Sequence, residues 1–365
     1  MRILVVVGAR PQFVKASPLS RVLRAAGDEE ILVHTGQHYD PELSGRFFEE
    51  LDLRRPDVCL DVGSAPRAEQ MSAMRAGVEA VVAGRAPDWV VVFGDTNSTL
   101  AGALAAEAAR TPLAHIEAGV RSGNLRMQEE VNRIETDRLS SLLLCPCGRA
   151  AENLAAEHVQ ARTEVVGDVM LDALEAVRPY LSEDVPRAHG LEPGRYLLVT
   201  AHRAETADDA ERLGGVLTAL RDLGEPAVFP THPRTRRSLS RFALTVPDNV
   251  RLTDPVGYLE CLSLQAFARA VLTDSGGIEK EAYWLGVPCV TMRDETEWME
   301  TVEAGWNVLA GTDHKRITKA ARSLAPPAER PHLYGEPGAA ERCVCLLEEA
   351  GGSRSSPESP VEAAT

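Results

Sequence analysis

The sequence predicts an α/β protein with two doubly wound, Rossmann-like domains and a central cleft. Short apolar runs with the length and β-branched content of buried strands alternate with helical segments, a pattern typical of parallel sheets. The alternation pauses at the polar segment 183–194 and then resumes. A chain of 365 residues also exceeds the usual size of one hydrophobic core. We therefore expect two domains, with a ligand bound in the cleft between them.

The predicted domain boundaries follow this alternation. The first domain covers residues 1–170 and the second covers 171–348, and the last helix could pack back on the first domain. Residues 349–365 are polar, rich in Pro and Ser and without periodicity, so we expect a disordered tail. Predicted strands lie at 3–8, 31–35, 89–94, 113–117, 141–145, 163–166, 195–200, 227–230, 250–252, 270–273, 289–292 and 307–310, and predicted helices include 14–26, 41–51 and 171–182.

Composition limits the class of partner. A formal net charge of -15 argues against a general nucleic-acid surface. No apolar run approaches the roughly 20 residues of a membrane helix, and the N-terminus enters a strand without a signal-like segment, so we expect a cytoplasmic protein with no membrane partner. The 7 cysteines lie mostly in apolar runs, and their Cys-x-Cys pairs lack the spacing and histidine partners of a zinc site, so no metal is expected.

Two acidic residues end predicted strands of the first domain. Asp95 follows the apolar run 89–93, and Glu117 ends the run that begins at residue 113. The carboxyl ends of parallel strands meet at the edge where α/β sheets bind ligands, so both carboxylates are candidate catalytic groups. Asp95 could instead cap the helix that follows it. Glu117 is harder to explain structurally, because the Ala-Gly that follows it would admit a ligand.

Candidate phosphate-binding groups follow two other strands. Arg10 and Lys15 come after the first strand and could hold a phosphate or a carboxylate, or could be solvated charges at a helix start. Because neither Gly-x-Gly-x-x-Gly nor Gly-Lys-Ser/Thr occurs there, a nicotinamide fingerprint and a nucleotide-hydrolysing loop are not indicated. Ser275-Gly276-Gly277 is the stronger candidate, since strand, glycines and helix onset follow in that order. A glycine-rich turn without a ligand is the alternative.

Further polar residues could complete these sites in the second domain. Glu281 lies about one turn into the helix after the glycines, where it could accept hydrogen bonds from ribose hydroxyls. His202, followed by Arg203, closes the first strand of this domain, and His232 closes the next. Each histidine could be an acid/base group or a phosphate partner, and a structural role is the alternative.

A charged cluster also follows Glu117. It contains Arg121, Glu129 and Glu130, together with Asn132 and Arg133. Solvation on the protein surface would explain Glu130 and Arg133 adequately.

Together these segments resemble the non-hydrolysing UDP-N-acetylglucosamine 2-epimerases over nearly the whole chain. The motifs are Gly-Ala-Arg-Pro-Gln at 8, Thr-Gly-Gln-His at 35, Gly-Asp-Thr-Asn-Ser-Thr at 94, His-Ile-Glu-Ala-Gly at 115, Glu-Glu-Val-Asn-Arg at 129, His-Arg-Ala-Glu at 202, His-Pro-Arg-Thr-Arg at 232 and Asp-Ser-Gly-Gly-Ile at 274. The resemblance implies a glycosyltransferase-B fold, a UDP-sugar bound in the cleft, a homodimer, and no metal or other cofactor.

The resemblance also implies an isomerase that converts UDP-N-acetylglucosamine to UDP-N-acetylmannosamine. In this chemistry UDP is eliminated to leave a glycal and is then added back, with acid/base groups on both faces of C2. By resemblance the catalytic residues are Asp95, Glu117, Glu129 and His202, and the residues that bind UDP or substrate are Arg10, Lys15, Arg121, Arg203, Ser275, Gly276, Gly277 and Glu281.

Three residues depart from the bacterial family pattern. Trp298 replaces an arginine that contacts the nucleotide, Ser44 replaces a second glutamine of allosterically regulated members, and Gln128 replaces a proline. Ser44 predicts a reverse reaction that needs no UDP-N-acetylglucosamine as activator. Trp298 and the start of the chain are closest to the branch acting on UDP-2,3-diacetamido-2,3-dideoxy-glucuronate, which is the alternative substrate. Further alternatives are a hydrolysing epimerase that releases N-acetylmannosamine and UDP, epimerisation at C3, and a glycosyltransferase of the same fold.

Overall fold

The computed structural model describes residues 1–37, 48–63 and 65–352. Most of the predicted helix 41–51, including Ser44, and residues 353–365 lie outside these ranges. The chain divides into two compact units, unit 1 with Met1–Ala173 and the segment from Tyr334 onward, and unit 2 with Leu174–Leu333. The segment from Tyr334 thus belongs to unit 1. The predicted second domain included it up to residue 348, with the last helix as a segment that could pack back on the first domain.

Unit 1 is built on a seven-stranded parallel sheet. Its strands are β1 (Arg2–Val7), β2 (Glu29–His34), β3 (Val58–Cys59), β4 (Trp89–Phe93), β5 (Leu113–Ile116), β6 (Leu142–Cys145) and β7 (Arg162–Val165), in the order β3-β2-β1-β4-β5-β6-β7. Strand β3 has no predicted counterpart, because two residues are too few to show an apolar pattern.

Unit 2 is built on a six-stranded parallel sheet. Its strands are β8 (Leu197–Thr200), β9 (Ala227–Pro230), β10 (Val250–Thr253), β11 (Ala270–Thr273), β12 (Cys289–Thr291) and β13 (Asn307–Leu309), in the order β10-β9-β8-β11-β12-β13. Each corresponds to a predicted strand within a few residues. The two sheets with interleaved helices confirm the predicted class of two Rossmann-like domains.

Helices connect the strands in both units. They are α1 (Arg10–Ala26), α2 (Arg67–Arg85), α3 (Asn97–Ala108), α4 (Gln128–Leu139), α5 (Gly148–Ala156), α6 (Val169–Val177), α7 (Asp184–Ala188), α8 (Ala204–Ala207), α9 (Ala210–Leu223), α10 (Pro233–Arg241), α11 (Tyr258–Ala266), α12 (Gly276–Leu285), α13 (Met299–Glu303), α14 (His314–Ser323) and α15 (Ala339–Gly352). Within residues 1–37, 48–63 and 65–352, none of them has both the length and the apolar character needed to cross a membrane.

Two helices differ from the sequence expectations. Helix α2 has no predicted counterpart, because its buried apolar residues are only Met74, Val78 and Val82, a narrow stripe on an otherwise polar segment. Helix α15 continues to Gly352, so residues 349–352 are helical and the predicted start of the tail at 349 was wrong.

The strand order of each sheet reverses near its centre. Strand β1 lies between β2 and β4 in unit 1, and β8 lies between β9 and β11 in unit 2. At such a reversal, the loops after two neighbouring strands run to opposite faces of the sheet. A crevice therefore forms at the carboxyl ends of those two strands. Most of the predicted site residues follow these central strands or their neighbours.

Helix α3 packs closely on the sheet of unit 1. Its Ala101, Ala103 and Ala105 are fully buried. A Cβ on Gly102 would lie 2.9 Å from Val92 Cγ1 and 3.3 Å from Val6 Cγ2. The glycine therefore sets how closely this helix approaches β1 and β4.

We predict that Gly102→Ala lowers the melting temperature, because overpacking a close-packed contact costs about 1–3 kcal/mol. The matched control is Gly84→Ala in α2, where an added Cβ meets nothing within 4 Å. That change should be neutral or stabilising by about 0.5–1 kcal/mol, because alanine is the better helix former. Differential scanning calorimetry of the two variants tests this, and a stabilised Gly102→Ala protein would contradict the packing argument.

Candidate active site

The loop after β1 is tied to the end of β4 by one buried side chain. Gln12 Oε1 accepts hydrogen bonds from the amides of Gly8 (2.9 Å) and Ala9 (3.1 Å). Its Nε2 donates to Phe93 O (3.3 Å) and Thr99 Oγ1 (3.1 Å). This amide fixes the start of α1, and with it the two predicted cations, beside the end of β4.

Close approach explains the glycine at the end of β1. A Cβ on Gly8 would lie 2.0 Å from Ser98 Oγ and 2.1 Å from Thr35 Oγ1. These two hydroxyl groups are hydrogen-bonded to each other at 2.7 Å. Only glycine fits here, because any side chain would displace this pair.

Lys15 and Glu117 form a buried ion pair. Lys15 Nζ lies 2.5 Å from Glu117 Oε1, and each side chain is 8% exposed. Glu117 has a φ of 70°, which non-glycine residues rarely adopt, and its amide donates to Leu144 O at 3.0 Å. The backbone therefore directs this carboxylate to the ammonium group of Lys15. From its position in the sequence, Lys15 was a candidate for holding a phosphate or a carboxylate, and in the structure it holds the carboxylate of Glu117.

Asp95 does not cap the helix that follows it. The N-cap of α3 is Thr96, whose Oγ1 accepts from Thr99 N at 3.2 Å. Asp95 Oδ2 instead accepts a hydrogen bond from the Arg133 guanidinium group, and the Asp95 side chain stays 26% exposed. The structural alternative considered for Asp95 is therefore wrong.

Arg133 and Glu130 are interior residues rather than solvated ones. Their side chains are 2% and 1% exposed, and Arg133 Nη1 lies 2.6 Å from Glu130 Oε2. Glu130 also accepts from the amides of Ser122 (3.0 Å) and Gly123 (2.9 Å). Surface solvation was the wrong explanation, because a helical stripe of charges can face the interior when each charge has a partner.

Asn132 belongs to this group of side chains, although no role was predicted for it. Its Nδ2 donates to Asp95 O (3.0 Å) and Asn97 Oδ1 (3.1 Å). Its Oδ1 accepts from Arg67 at 3.0 Å. Its place in the motif at 129, one residue before Arg133, was the available signal. Helix α4 thus holds both the backbone and the side chain of Asp95.

Arg121 belongs to an internal network. Its Nη1 lies 2.7 Å from Asp137 Oδ2, and its Nε donates to Glu157 at 2.7 Å. Asp137 also bonds His115 Nδ1 at 2.7 Å, and His115 Nε2 lies 2.8 Å from Gly94 O. Burial alone would raise the pKa of Asp137, but the bonds to His115 and Arg121 outweigh it and lower that pKa. Arg121 therefore stabilises the loop after β5.

The remaining predicted residues of unit 1 lie at helix starts. Arg10 is the first residue of α1 and is half-buried. Glu129 is exposed in the first turn of α4, the helix that binds Asp95. Both are accessible to a ligand on this edge of the unit.

In unit 2, a buried aspartate organises the end of β8. Asp274 accepts hydrogen bonds from the amides of His202 (2.9 Å) and Arg203 (3.0 Å), and it lies 3.3 Å from His202 Nδ1. The contact with Asp274 orients the imidazole, and the His202 side chain stays 44% exposed to solvent. Asp274 begins the motif at 274, but no role was predicted for it. The ring of His232 lies 6.4 Å from that of His202.

The predicted glycine turn begins a helix. Ser275 is the N-cap of α12, and its amide donates to Thr273 Oγ1 at 2.9 Å. A Cβ on Gly276 would lie 2.7 Å from Trp298 Nε1. The free amides of Gly276 and Gly277 at this helix start favour an anion. Trp298 covers the turn, so the residue that departs from the family arginine contacts the predicted phosphate site.

Two acidic residues lie within α12 near this turn. Glu281 is buried, and its Oε2 accepts from Gln265 at 2.8 Å. Glu279 is fully buried; Thr296 donates to its Oε2 at 2.6 Å. Burial raises the pKa of Glu279 to about 7, although Thr296 and nearby arginines favour the ionised form. Glu279 was not among the predicted site residues, since its position in the helix gave no sign of burial.

The described ranges contain no group of three or more His, Cys, Asp or Glu side chains arranged to hold a metal ion. The chemistry they offer is proton transfer and anion binding. Unit 1 presents two carboxylates, each paired with a buried cation, after adjacent strands. Unit 2 presents an oriented imidazole and a helix start with free amides.

The chain is similar to known UDP-sugar 2-epimerases. The family model described as UDP-N-acetylglucosamine 2-epimerase matches residues 21–348. The chain is 44% identical to UDP-2,3-diacetamido-2,3-dideoxy-D-glucuronate 2-epimerase of Pseudomonas aeruginosa, over 88% of this chain and 92% of the relative. It is 41% identical to a UDP-N-acetylglucosamine 2-epimerase homolog of Methanococcus maripaludis, over 95% of this chain and 99% of the relative.

A solved structure is similar over almost the same length. The crystal structure of Methanocaldococcus jannaschii UDP-GlcNAc 2-epimerase in complex with UDP-GlcNAc and UDP has a TM-score of 0.90 and 37% identity, over 96% of this chain and 100% of that one. This likeness confirms the predicted glycosyltransferase-B fold. The chain therefore belongs to the UDP-N-acetylglucosamine 2-epimerase family.

Proposed function

We propose that the protein is a non-hydrolysing epimerase that inverts C2 of a UDP-2-acetamido sugar, converting UDP-N-acetylglucosamine to UDP-N-acetylmannosamine. The observation that carries the proposal is the placement of Asp95 and Glu117 after adjacent strands, each held by a buried cation, in a chain of this family. A glycosyltransferase needs one base and an acceptor groove, whereas this edge presents several carboxylates.

The proposed reaction balances without a cofactor. A carboxylate removes the C2 proton while the C1–O bond to UDP breaks, and UDP leaves with the electron pair. A 2-acetamidoglucal remains. A proton is then returned to the opposite face of C2 while UDP adds back to C1. One base alone would return the proton to the face it left, so inversion needs groups on both faces.

Three carboxylates are available for proton transfer at C2. The ion pair with Lys15 fixes Glu117, and Arg133 fixes Asp95, so both have defined positions relative to a bound sugar. Glu129 is the third, exposed at the start of the helix that binds Asp95. We assign proton transfer at C2 to these residues.

The UDP-binding groups lie mainly in unit 2. The amides of Gly276 and Gly277 and the Ser275 side chain would bind the diphosphate, since they lie at the start of α12. His202 and Arg203 follow β8, where Asp274 holds their amides, and would contact the departing diphosphate.

Other predicted binding residues take narrower roles. Glu281 would accept from the ribose, and Arg10 would supply a cation at the start of α1. Lys15 and Arg121 are already paired with carboxylates, so we assign them the positioning of Glu117 and of the loop after β5.

The alternative substrate is UDP-2,3-diacetamido-2,3-dideoxy-glucuronate. The 44% identity to the Pseudomonas aeruginosa enzyme named for that compound supports it, as does Trp298 over the glycine turn. The same residues would perform the same inversion. A homodimer, taken from the family resemblance, and the cytoplasmic location expected from the sequence complete the proposal.

The first test is proton NMR of the purified protein with each of the two sugar nucleotides in deuterated water. Elimination and readdition predict a C2 epimer that carries deuterium at C2, with the C1–UDP bond intact at the end. Release of free N-acetylmannosamine would indicate a hydrolysing enzyme, and inversion at C3 would indicate the other specificity. Absence of exchange with both compounds would contradict the proposal.

Loss of a carboxylate should slow the reaction strongly. We predict that Asp95→Asn, Glu117→Gln and Glu129→Gln each lower turnover by at least about 100-fold, the scale of a lost general acid or base. Glu135→Gln is the matched control, since Glu135 is an exposed residue of α4 that pairs only with the exposed Arg138 among the described contacts. Circular dichroism verifies folding. Near-normal turnover of one carboxylate variant would remove that residue from the mechanism.

A further inference from the structure

Glu279 is a buried carboxylate with one unused oxygen. It lies in the first turn of α12 with no exposed surface. Its Oε2 accepts from Thr296 Oγ1 (2.6 Å) and Asn307 Nδ2 (3.4 Å), whereas Oε1 has no hydrogen-bond partner among the described residues. If this carboxylate were ionised, Oε1 would carry part of the negative charge without a hydrogen-bond donor, which is energetically costly.

The charges around Glu279 do not neutralise it fully. Arg293 is committed to Glu297, with Nη1 and Nη2 at 2.7 and 3.0 Å from its oxygens. Glu297 repels Glu279, while Arg293 and, to a smaller extent, Arg203 attract it. On the sheet side, the Cys289 thiol is neutral, since burial and Glu279 raise its pKa.

The carboxylate is connected to the glycine turn through a short path. Thr296, which donates to Glu279, accepts from Trp298 N at 3.1 Å. The indole of Trp298 lies over Gly276, and Lys280 Nζ lies 3.7 Å from its ring centroid. Glu279 also follows Gly276 by three residues in the same helix, so its charge acts on the helix start directly.

We propose that Glu279 is a positioning residue whose charge sets the affinity of the Ser275-Gly276-Gly277 turn for the diphosphate of a nucleotide. The neutral acid favours diphosphate binding and the carboxylate opposes it. The inference rests on the proposed function, in which this turn binds UDP.

The physical basis is repulsion between two anions attached to one helix. A pKa raised by burial to about 7 means that both forms of Glu279 are populated near neutral pH. Bound diphosphate would favour the neutral form further, so nucleotide binding should take up a proton. At an effective dielectric constant of about 20 and a separation on the order of 10 Å, one unit charge changes the affinity roughly tenfold.

Isothermal titration calorimetry of UDP binding from about pH 5.5 to about pH 8.5 tests this across the pKa of about 7. Below that pKa, wild type and Glu279→Gln should bind UDP equally. Above it, wild type should bind roughly tenfold more weakly than Glu279→Gln. UDP itself titrates in this range, but the ratio of the two dissociation constants cancels that contribution. Glu303→Gln, an exposed residue of α13, is the matched charge control and should follow wild type.

Calorimetry of the wild type in buffers of different ionisation enthalpy supplies a measurement that needs no variant. Net proton uptake near pH 7, beyond that of UDP itself, is expected. Its absence, or an identical pH profile for wild type and Glu279→Gln, would overturn the inference and leave the proposed function standing. No UDP binding by wild type at any pH would overturn the proposed function and the inference with it.

Thermal stability without UDP provides an independent check of the Glu279 charge. A carboxyl group whose pKa is raised in the folded state stabilises the protein below the unfolded pKa, and this contribution is lost as the pH rises through the folded pKa. Glu279→Gln should therefore melt at a higher temperature than wild type above about pH 7 and not below about pH 4.5. Equal melting temperatures at both ends would show that Glu279 is not a buried charge, which contradicts the inference.

Discussion

The buried ion pair between Lys15 and Glu117 is the interaction on which unit 1 most depends. A charge removed from water must be paired, so the ammonium group and the carboxylate can remain at the centre of the sheet edge only together. The pair joins α1 to the loop after β5, and the positive φ of Glu117 shows that the backbone accepts strain to make it. Hydrogen bonds from Gln12 to Phe93 O and from Asn132 to Asp95 O hold the end of β4 beside this pair.

Two carboxylates of similar chemistry thereby acquire different surroundings. Glu117 is 8% exposed and bound to a lysine, whereas Asp95 is 26% exposed and bound to Arg133. Arg133 is in turn held by Glu130, which also closes the loop at Ser122. In the proposed reaction, different surroundings would suit two groups that act on opposite faces of one carbon atom, since each would hold and release a proton at a different step.

Unit 2 uses backbone amides where unit 1 uses side-chain charges. Asp274 holds the amides after β8, and the start of α12 leaves its own amides free. The close contact between Gly276 and Trp298 leaves no room for a side chain at the turn. Burial raises the pKa of Glu279 to about 7 in the same helix, so the turn that is proposed to bind an anion lies close to a group that can oppose it.

The sequence by itself determined the class of fold, most of the strands and the positions of the polar residues that end them. These features depend on local patterns: apolar runs of strand length, and acidic or glycine residues directly after them. The sequence could not determine which side chains pair with each other, because this pairing joins residues that are far apart in the chain. Glu130 and Arg133 resembled surface charges in the sequence, and only packing against Asp95 and the loop at Ser122 makes them interior residues.

The same limit applies to the second unit and to the division of the chain. Glu279 accepts hydrogen bonds from Thr296 and Asn307, which come from a later loop and strand, so no local pattern could predict its surroundings or its pKa. The sequence left open whether the last helix packs on the first domain, and its contacts with α1, at the other end of the sequence, place it in unit 1. Local patterns fix the elements and the residue types at their ends, whereas the burial and pairing of each charge depend on contacts that exist only in the folded chain.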